Sequence, residues 1–430
     1  MLEANGKMVN IIDAKLLRLS IDDVISQLKR NTPSVIGLTA VTSEINEVNS
    51  VAREIKHIFP SIVTIIGGCH VSALPVETME HYPSFDIAVI GEGEYTLLEI
   101  INNLERSESI RDCKGIVLRD GDVVVANPPR DLITNIDDIP NPAWHLFPPS
   151  PYYMIVSSRG CPFSCCFCYR VYGKKLRLRT PQRVIDEIKS IIEFSGAKSI
   201  GIVDATFGAN RDHSEELMDL LIESGVNKKI DWSTETRVDI GDYAFFAKMK
   251  RAGCNSVGFG VESGDEGVLH TTGKNTTIAK IETSVRNAHK AGLQTVGYYI
   301  LGHPNETKVT AQKTIDLSVK LNTHIATYGI MTPYPGTKVF ELATQGKGGY
   351  KLISNDYNTY QKHFGKALEF DNVSMGYLNK LRIQGYIRLY MENGRFLDFF
   401  KFLVNHNKEA FRLVKYTLST LFGKKCVGED

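Results

Sequence analysis

Four cysteines fall within GCPFSCCFCYR, residues 160–170, in a chain that has eight. Cys161, Cys165 and Cys168 form the pattern CxxxCxxC. Three thiolates on one loop suit three irons of a 4Fe–4S cluster, and the fourth iron then stays open to an outside ligand. A structural zinc ion wants a fourth ligand from a nearby second pair, and no CxxC or HxxxH follows in the next 40 residues. Buried free thiols would sit on an apolar face, whereas this group opens with Gly-Cys-Pro on a loop. Cys166 is out of register and reads as a neighbour of the ligands. Cys69, Cys113, Cys254 and Cys426 read as packing or surface residues.

Such a loop has to be aimed by a scaffold. Short β-branched runs alternate with amphipathic helical stretches almost throughout, which predicts an α/β fold with parallel strands. A first block has strands at 9–13 (VNIID), 34–40 (SVIGLTA), 63–68 (VTIIGG) and 86–91 (DIAVIG), with helical patterns near 21–30, 44–58 and 94–105. Glycines close its last two strands, where open parallel sheets bind ligands. The stretch VANPPRDLITNIDDIPNPAWHLFPPSP is rich in Pro and Asp, has no period, and reads as a linker. A second block has strands at 154–158 (MIVSS), 199–204 (SIGIVD), 231–236 (DWSTET), 256–262 (SVGFGVE), 295–301 (TVGYYIL) and 325–331 (IATYGIM). Six such units are too few to close a TIM-type barrel, so they predict a partial (βα)6 barrel with its site at the carboxyl ends of the strands. The division expected is 1–127 for the first α/β domain, 128–150 for the linker, 151–345 for the partial barrel and 346–430 for a mainly helical extension.

Bulk composition narrows the function. The 430 residues allow roughly two or three domains. Fifty Lys and Arg against 49 Asp and Glu give no global attraction to nucleic acid. The N-terminal MLEANGKMVNIIDAKLL does not read as a signal peptide, and no apolar run reaches the roughly 18 residues of a membrane span. The expectation is a cytosolic protein, where clustered thiols serve as metal ligands or redox groups more often than as disulfides.

CxxxCxxC with Phe167 before its last cysteine, at the end of the first strand of a partial barrel, resembles the radical S-adenosylmethionine enzymes. Four further segments resemble the branch of that superfamily with an N-terminal cobalamin-binding domain, which includes the oxidative cyclase of bacteriochlorophyll synthesis and several methyltransferases. They are IIGGCHVSALPVETM with IGEGEYTLLEI, the linker DLITNIDDIPNPAW, the strand ends VDATF and FGVESGD, and GYYILGHPNET with TPYPGT. The resemblance covers most of residues 9–345. It implies that Cys161, Cys165 and Cys168 bind the cluster and that S-adenosylmethionine chelates the open iron and is split to a 5′-deoxyadenosyl radical. The protein must then hold that cofactor with polar groups on the same rim. Asp204 stands where many relatives carry Gly-Gly-Glu. Glu235 and Arg237 share one side of the third barrel strand, and Glu262 ends the fourth. Gly302, His303, Pro335 and Gly336 resemble the family's cofactor contacts. Each charged residue also reads as a rim charge paired with a neighbour, and His303 as a structural histidine.

Gly67, Gly68, Gly91 and Gly93 resemble the loops that admit the nucleotide tail and corrin ring of cobalamin, and equally suit plain turns. The DxHxxG motif that supplies a histidine to cobalt is absent. Relatives begin with an earlier strand and helix, so the first domain is expected to be a flavodoxin-like sheet lacking its first strand. The resemblance implies methylation or cyclisation of an unactivated carbon in a small molecule, with an electron donor such as flavodoxin or ferredoxin. Two alternatives stay open: a cobalamin-free radical enzyme with a vestigial first domain, and a non-catalytic iron–sulfur carrier, which would not need the strand-end residues.

Residues 380–425 carry ten Lys or Arg against three acidic residues, interleaved with FLDFFKFLV and FRLVKYTLSTLF. One or two basic amphipathic helices are expected. On one reading they touch a membrane surface or capture a lipid-like substrate; on the other they cap the barrel with their apolar stripe.

Overall fold

The computed structural model describes residues 1–362 and 366–405. Its first sheet contains β1 (Val35–Thr39), β2 (Val63–Gly67), β3 (Ile87–Val89), β4 (Ile116–Asp120) and β5 (Val123–Ala126), hydrogen-bonded in that order. β1, β2 and β3 are parallel, in a register that sets Val35 beside Val63 and Ile65 beside Ile87. Ile66 and Ala88 are buried on one face and Ile65 and Ile87 on the other, as a sheet covered on both sides requires. The helices Ile21–Arg30, Ile45–Ile58 and Glu94–Glu105 match the three expected stretches.

Two expectations for this sheet fail. VNIID, residues 9–13, is not a strand. Ile12 packs into a small cluster with Val24, Ile25, Leu28 and Ile36, so its apolar side chain is used, but the backbone has no neighbouring ladder to join. Among the described residues no strand precedes Val35. Conversely, β4 and β5 form an unexpected antiparallel hairpin, closed by the two-residue turn Gly121-Asp122 with Gly121 at φ +61°. A Gly-Asp pair between two β-branched runs was its signal.

The second sheet follows the expected strands closely. It comprises β6 (Tyr152–Ile155), β9 (Ser199–Ile202), β10 (Asp231–Arg237), β11 (Cys254–Glu262), β12 (Gln294–Leu301) and β13 (Ile325–Ile330), all parallel, in chain order from one edge to the other. Between β6 and β9 lies a two-residue ladder of β7 (Ser158–Arg159) and β8 (Arg177–Leu178). β6 and β13 are the free edges, so the barrel is open. Along each strand one set of side chains faces the helices and fills a single core, which includes Ile155, Ile202, Trp232, Phe259, Tyr299 and Tyr328. The alternate set faces the hollow of the half barrel.

The linker is fastened to this barrel. Trp144 donates its indole N–H to Glu187 at 2.9 Å, and Glu187 also pairs with the buried Arg179. Beyond the barrel, the helix Met375–Met391 buries Leu378, Leu381 and Leu389 against the helix Lys308–Leu321 and β13. That part of the C-terminal region is a cap. The helix Phe396–Asn405 packs Phe402 on Tyr386 and Tyr390 but leaves Phe396, Leu397, Phe400 and Val404 exposed. FRLVKYTLSTLF and Cys426 lie outside the described residues.

Candidate active site

The cysteine loop hangs between β7 and β8. Its entry, Gly160, has φ +90°, and a side chain there would strike the Lys175 carbonyl, so only glycine lets the two ends of the loop approach. Asp204 braces this entry. Its buried carboxylate accepts from the Ser157 and Ser158 amides at 2.7 and 3.0 Å and from their hydroxyls at 2.5 and 2.8 Å. The Asp204 side chain thereby holds the strand that leads to the cysteines.

The three thiols lie near enough to one another to couple electrostatically. Burial pushes Cys165 up, and it pushes Cys168 up to about 12, with Cys165 and Cys161 adding repulsion. Lys274 opposes the shift at both sulfurs and Arg237 opposes it at Cys165. Thiolates near fixed cations are the form that binds metal. Among the described residues no three His, Cys, Asp or Glu side chains converge on one ion. The ligands of a 4Fe–4S cluster each bind a different iron, so its thiols need not converge on one point. Cys166 lies on the far side, packed with Met331, Val339 and Tyr350, and its backbone joins Thr272 and Val339. Phe167 shares that packing and meets the His303 ring edge-on at 6.0 Å.

Arg237 stands against the loop. Its guanidinium forms a fork with Asp239 at 2.9 and 2.8 Å, donates to the Lys274 carbonyl at 2.6 Å, lies 3.9 Å over the Phe163 ring and reaches within 3.9 Å of the Cys165 sulfur. Glu262 has φ +67° at a register shift in β11, a strained backbone for a residue with a side chain. Its carboxylate is met by Lys274 at 3.1 Å beneath the same rim. Lys274, missed from the sequence, therefore pairs with the acid and also acts through its charge on Cys165 and Cys168. Glu235 lies two residues deeper on β10 and is exposed to the hollow rather than to the rim.

The remaining expected contacts are largely used by the protein itself. His303 is 1% exposed, and burial pulls it down to about 4, so it is neutral; Nε2 faces the Glu262 carbonyl at 3.4 Å. A side chain at Gly302 would meet Phe370 at 2.6 Å, and the Gly302 carbonyl accepts from Tyr350. Glu306, also missed, accepts from the Gly302 and His303 amides, and burial raises it to about 7. Gly336 lies after the buried Pro335, and a side chain there would meet the Tyr169 ring at 2.5 Å and Ala73 at 3.2 Å. Gly302 and Gly336 thus permit close packing.

The four glycines of the first domain divide in two. A side chain at Gly68 would strike the Ala40 carbonyl at 2.5 Å, and one at Gly93 would touch Val89 at 3.4 Å. Nothing stands within 4 Å at Gly91, and only the Val89 carbonyl, at 3.9 Å, at Gly67. These two leave open space at the carboxyl edge of β2 and β3, a cradle of the kind a bulky ligand such as cobalamin needs.

The two domains meet through Glu92, between Gly91 and Gly93. Its carboxylate, only 2% exposed, takes Arg159 at 2.8 Å, Arg177 at 2.7 Å and the Ile133 amide at 2.8 Å, while Arg159 also reaches Glu94 at 2.6 Å. Arg159 and Arg177 are paired residues of the ladder that carries the cysteine loop. Neither arginine was singled out from the sequence; IGEGE carried only glycine signals there.

The family model of the Radical SAM superfamily matches residues 155–318, and that of the B12 binding domain matches residues 1–101. An uncharacterized methyltransferase of Pyrococcus horikoshii is 31% identical over 392 residues, covering 89% of this chain and 84% of the relative. The anaerobic magnesium-protoporphyrin IX monomethyl ester cyclase of Cereibacter sphaeroides is 27% identical over 347 residues, covering 77% of this chain and 56% of the cyclase. Among solved structures, the radical S-adenosylmethionine methyltransferase TsrM of Kitasatospora setae, with cobalamin and a 4Fe–4S cluster bound, superposes with a TM-score of 0.72 at 17% identity, covering 84% of this chain and 77% of that one. The last likeness is one of fold.

Two outcomes are expected for the interdomain pair. Glu92→Gln leaves Arg159 and Arg177 without a buried counter-charge and should cost about 3 kcal/mol, read as faster protease cleavage in the linker; cleavage at the wild-type rate would show that the domains are held together elsewhere. Burial alone would raise the Glu92 pKa, but Arg177 and Arg159 outweigh it and hold it below the ordinary 4.5. Stabilisation from a lowered carboxylate is fully present above that value and lost as pH falls through the folded one. The difference in Tm between wild type and Glu92→Gln should accordingly be constant near neutrality and shrink below pH 4.5.

Proposed function

Because the chain belongs to the radical S-adenosylmethionine superfamily, in the branch with a B12 binding domain ahead of the barrel, we propose that Cys161, Cys165 and Cys168 hold a 4Fe–4S cluster in an enzyme that methylates, or closes a ring on, an unactivated carbon with cobalamin. The three cysteines would hold the cluster so that, with S-adenosylmethionine bound, it would supply the radical chemistry needed to activate a C–H bond. The observation that carries the reading is the placement of three mutually close thiols at the rim of an open barrel, on a loop tied by Arg159 to the glycine cradle of the first domain.

The chain's own residues have separable tasks. Arg237 and Lys274 offset thiolate charge. Glu262, turned under the rim, is the acceptor for the ammonium of S-adenosylmethionine, with Lys274 as its resting partner. Asp204 and Gly160 fix the loop entry, and Phe167 walls off its inner side from water. Gly67 and Gly91 give cobalamin its room. The electron comes from a small donor of the flavodoxin or ferredoxin type, and the substrate is a small molecule. The exposed Phe396, Leu397, Phe400 and Val404 extend the basic C-terminal pattern and support contact with a lipid surface or a lipid-like substrate.

Protein reconstituted without oxygen and reduced with dithionite is expected to convert S-adenosylmethionine to 5′-deoxyadenosine. Cys161→Ala, Cys165→Ala and Cys168→Ala should each abolish that product, while Cys166→Ala keeps the iron complement; turnover persisting in Cys165→Ala would refute the ligand set. For the surface, co-sedimentation with vesicles containing anionic lipid should be weakened several-fold by Phe400→Glu, and equal sedimentation of the variant would remove the membrane reading.

A further inference from the structure

The hollow of the half barrel has a floor as well as a rim. Tyr152, Glu235 and Tyr298 point into it from β6, β10 and β12, at positions alternate to the helix-facing core residues Tyr153, Trp232 and Tyr299. They lie flat because glycines sit beneath them. A side chain at Gly201 would collide with the Tyr152 ring, and one at Gly258 would meet the Tyr298 ring at 2.7 Å and the Glu235 stem at 3.2 Å. Above this floor Met154 and Val203 present apolar surface to the hollow, 58% and 45% exposed.

The sixth strand ends in a different device. Lys362 lies beyond the free edge of β13, fastened there by its carbonyl, which accepts from the Ile330 amide at 3.0 Å. Its side chain doubles back across the strand. The aliphatic stem rests on Gly329, where any side chain would meet it at 3.0 Å, and the ammonium stands 5.6 Å over the Tyr298 ring. Among the described residues Lys362 has no carboxylate and no hydrogen-bond acceptor. Glu235 does not answer it: that carboxylate lies against the Tyr298 hydroxyl, whose pKa is raised first by burial and then by Glu235. The side chain is exposed, yet it is carried back over a strand towards the hollow, with its stem on a glycine and its ammonium over a ring face.

We propose that this floor is a substrate subsite for molecules with an apolar body and one anionic group, the anion being received by Lys362 while the body lies on Tyr152, Tyr298 and Met154. The inference rests on the radical-enzyme reading only in taking the hollow as the place where substrate meets the rim. Lysine is a point charge with three donors, so the shared chemistry is an anion of any oxyacid rather than a planar carboxylate in particular. Glu235 excludes a second anion from the Tyr298 side and confines the charged end of the substrate to the β13 edge.

Holoenzyme can be titrated with two fluorescent probes of nearly the same body, the anionic 8-anilinonaphthalene-1-sulfonate and the uncharged N-phenyl-1-naphthylamine. Lys362→Met should weaken the anionic probe about tenfold and leave the neutral probe within about twofold, and Lys362→Arg should restore most of the loss. Met154→Trp, which fills the hollow, should weaken both probes. A benzoate and a phenyl phosphate series, competed against the anionic probe, separates carboxylate from phosphate as the preferred group. Equal affinity of the anionic probe for wild type and Lys362→Met overturns the proposal, and so does binding of both probes that survives Met154→Trp, since the signal then arises elsewhere. A failure of the radical-enzyme reading would show separately, as wild-type protein that makes no 5′-deoxyadenosine whatever the probes do.

Discussion

A carboxylate taken out of water has to be met by fixed positive charge, and Glu92 is such a group. Its desolvation costs several kcal/mol, which the two arginines and one amide offset only where they stand. The consequence is positional. Arg159 and Arg177 face each other on β7 and β8, the two ends from which the cysteine loop is slung. A carboxylate at the end of β3 in the first domain therefore sets both anchor points of a loop in the second. A shift of one domain against the other by an ångström or two would leave a buried charge unpaired, so the arrangement resists sliding in a way that an apolar interface of the same area would not.

The second constraint is electrostatic and follows from the first. With the loop slung from these anchors Cys165 is half-buried, and burial alone would favour its protonated thiol. Lys274 opposes that preference at Cys165 and Cys168 and Arg237 opposes it at Cys165, and each is itself pinned, Lys274 by Glu262 and Arg237 by Asp239 and the Phe163 ring. The rim is thus a chain of alternating charges ending at the sulfurs. The positive φ of Glu262 belongs to this chain: strain of that kind persists where the surroundings over-determine it, and here the bulge in β11 brings the carboxylate to Lys274.

What could be read from the sequence follows the range over which each signal acts. The six barrel strands, the three helices of the first block and the cysteine triad are local patterns, and all were legible to within a few residues. VNIID carried the same local pattern and is not a strand, because a ladder needs a neighbour and strand propensity does not supply one. Asp204, Gly302 and Gly336 were singled out from the sequence, yet their surroundings, Ser157 with Ser158, Phe370 with Tyr350, and Tyr169 with Ala73, come from segments distant in sequence. Arg159, Arg177, Lys274 and Glu306 had no signal of their own: an arginine that buries itself in an ion pair and one that lies on the surface are spelled identically, and only the position of the partner separates them.

The same reasoning explains why the substrate left so little trace in the sequence. In a half barrel of parallel strands the rim is built from strand ends and the loops after them, which can carry a contiguous motif such as CxxxCxxC. The floor is built from single residues, one per strand, separated by a helix each time. Tyr152, Gly201, Glu235, Gly258, Tyr298 and Gly329 are spread over nearly the whole barrel, and Lys362 lies beyond its last strand. Apart from Glu235 and Lys362, each is a tyrosine or glycine in a strand, with nothing local to mark it. Their shared property is that they fall on the alternate positions facing the hollow, and that large groups stand over small ones on the next strand. Specificity of this kind is a matter of register between strands, which a one-residue slip would invert, and the parallel pairing of β10, β11, β12 and β13 fixes it before any substrate arrives.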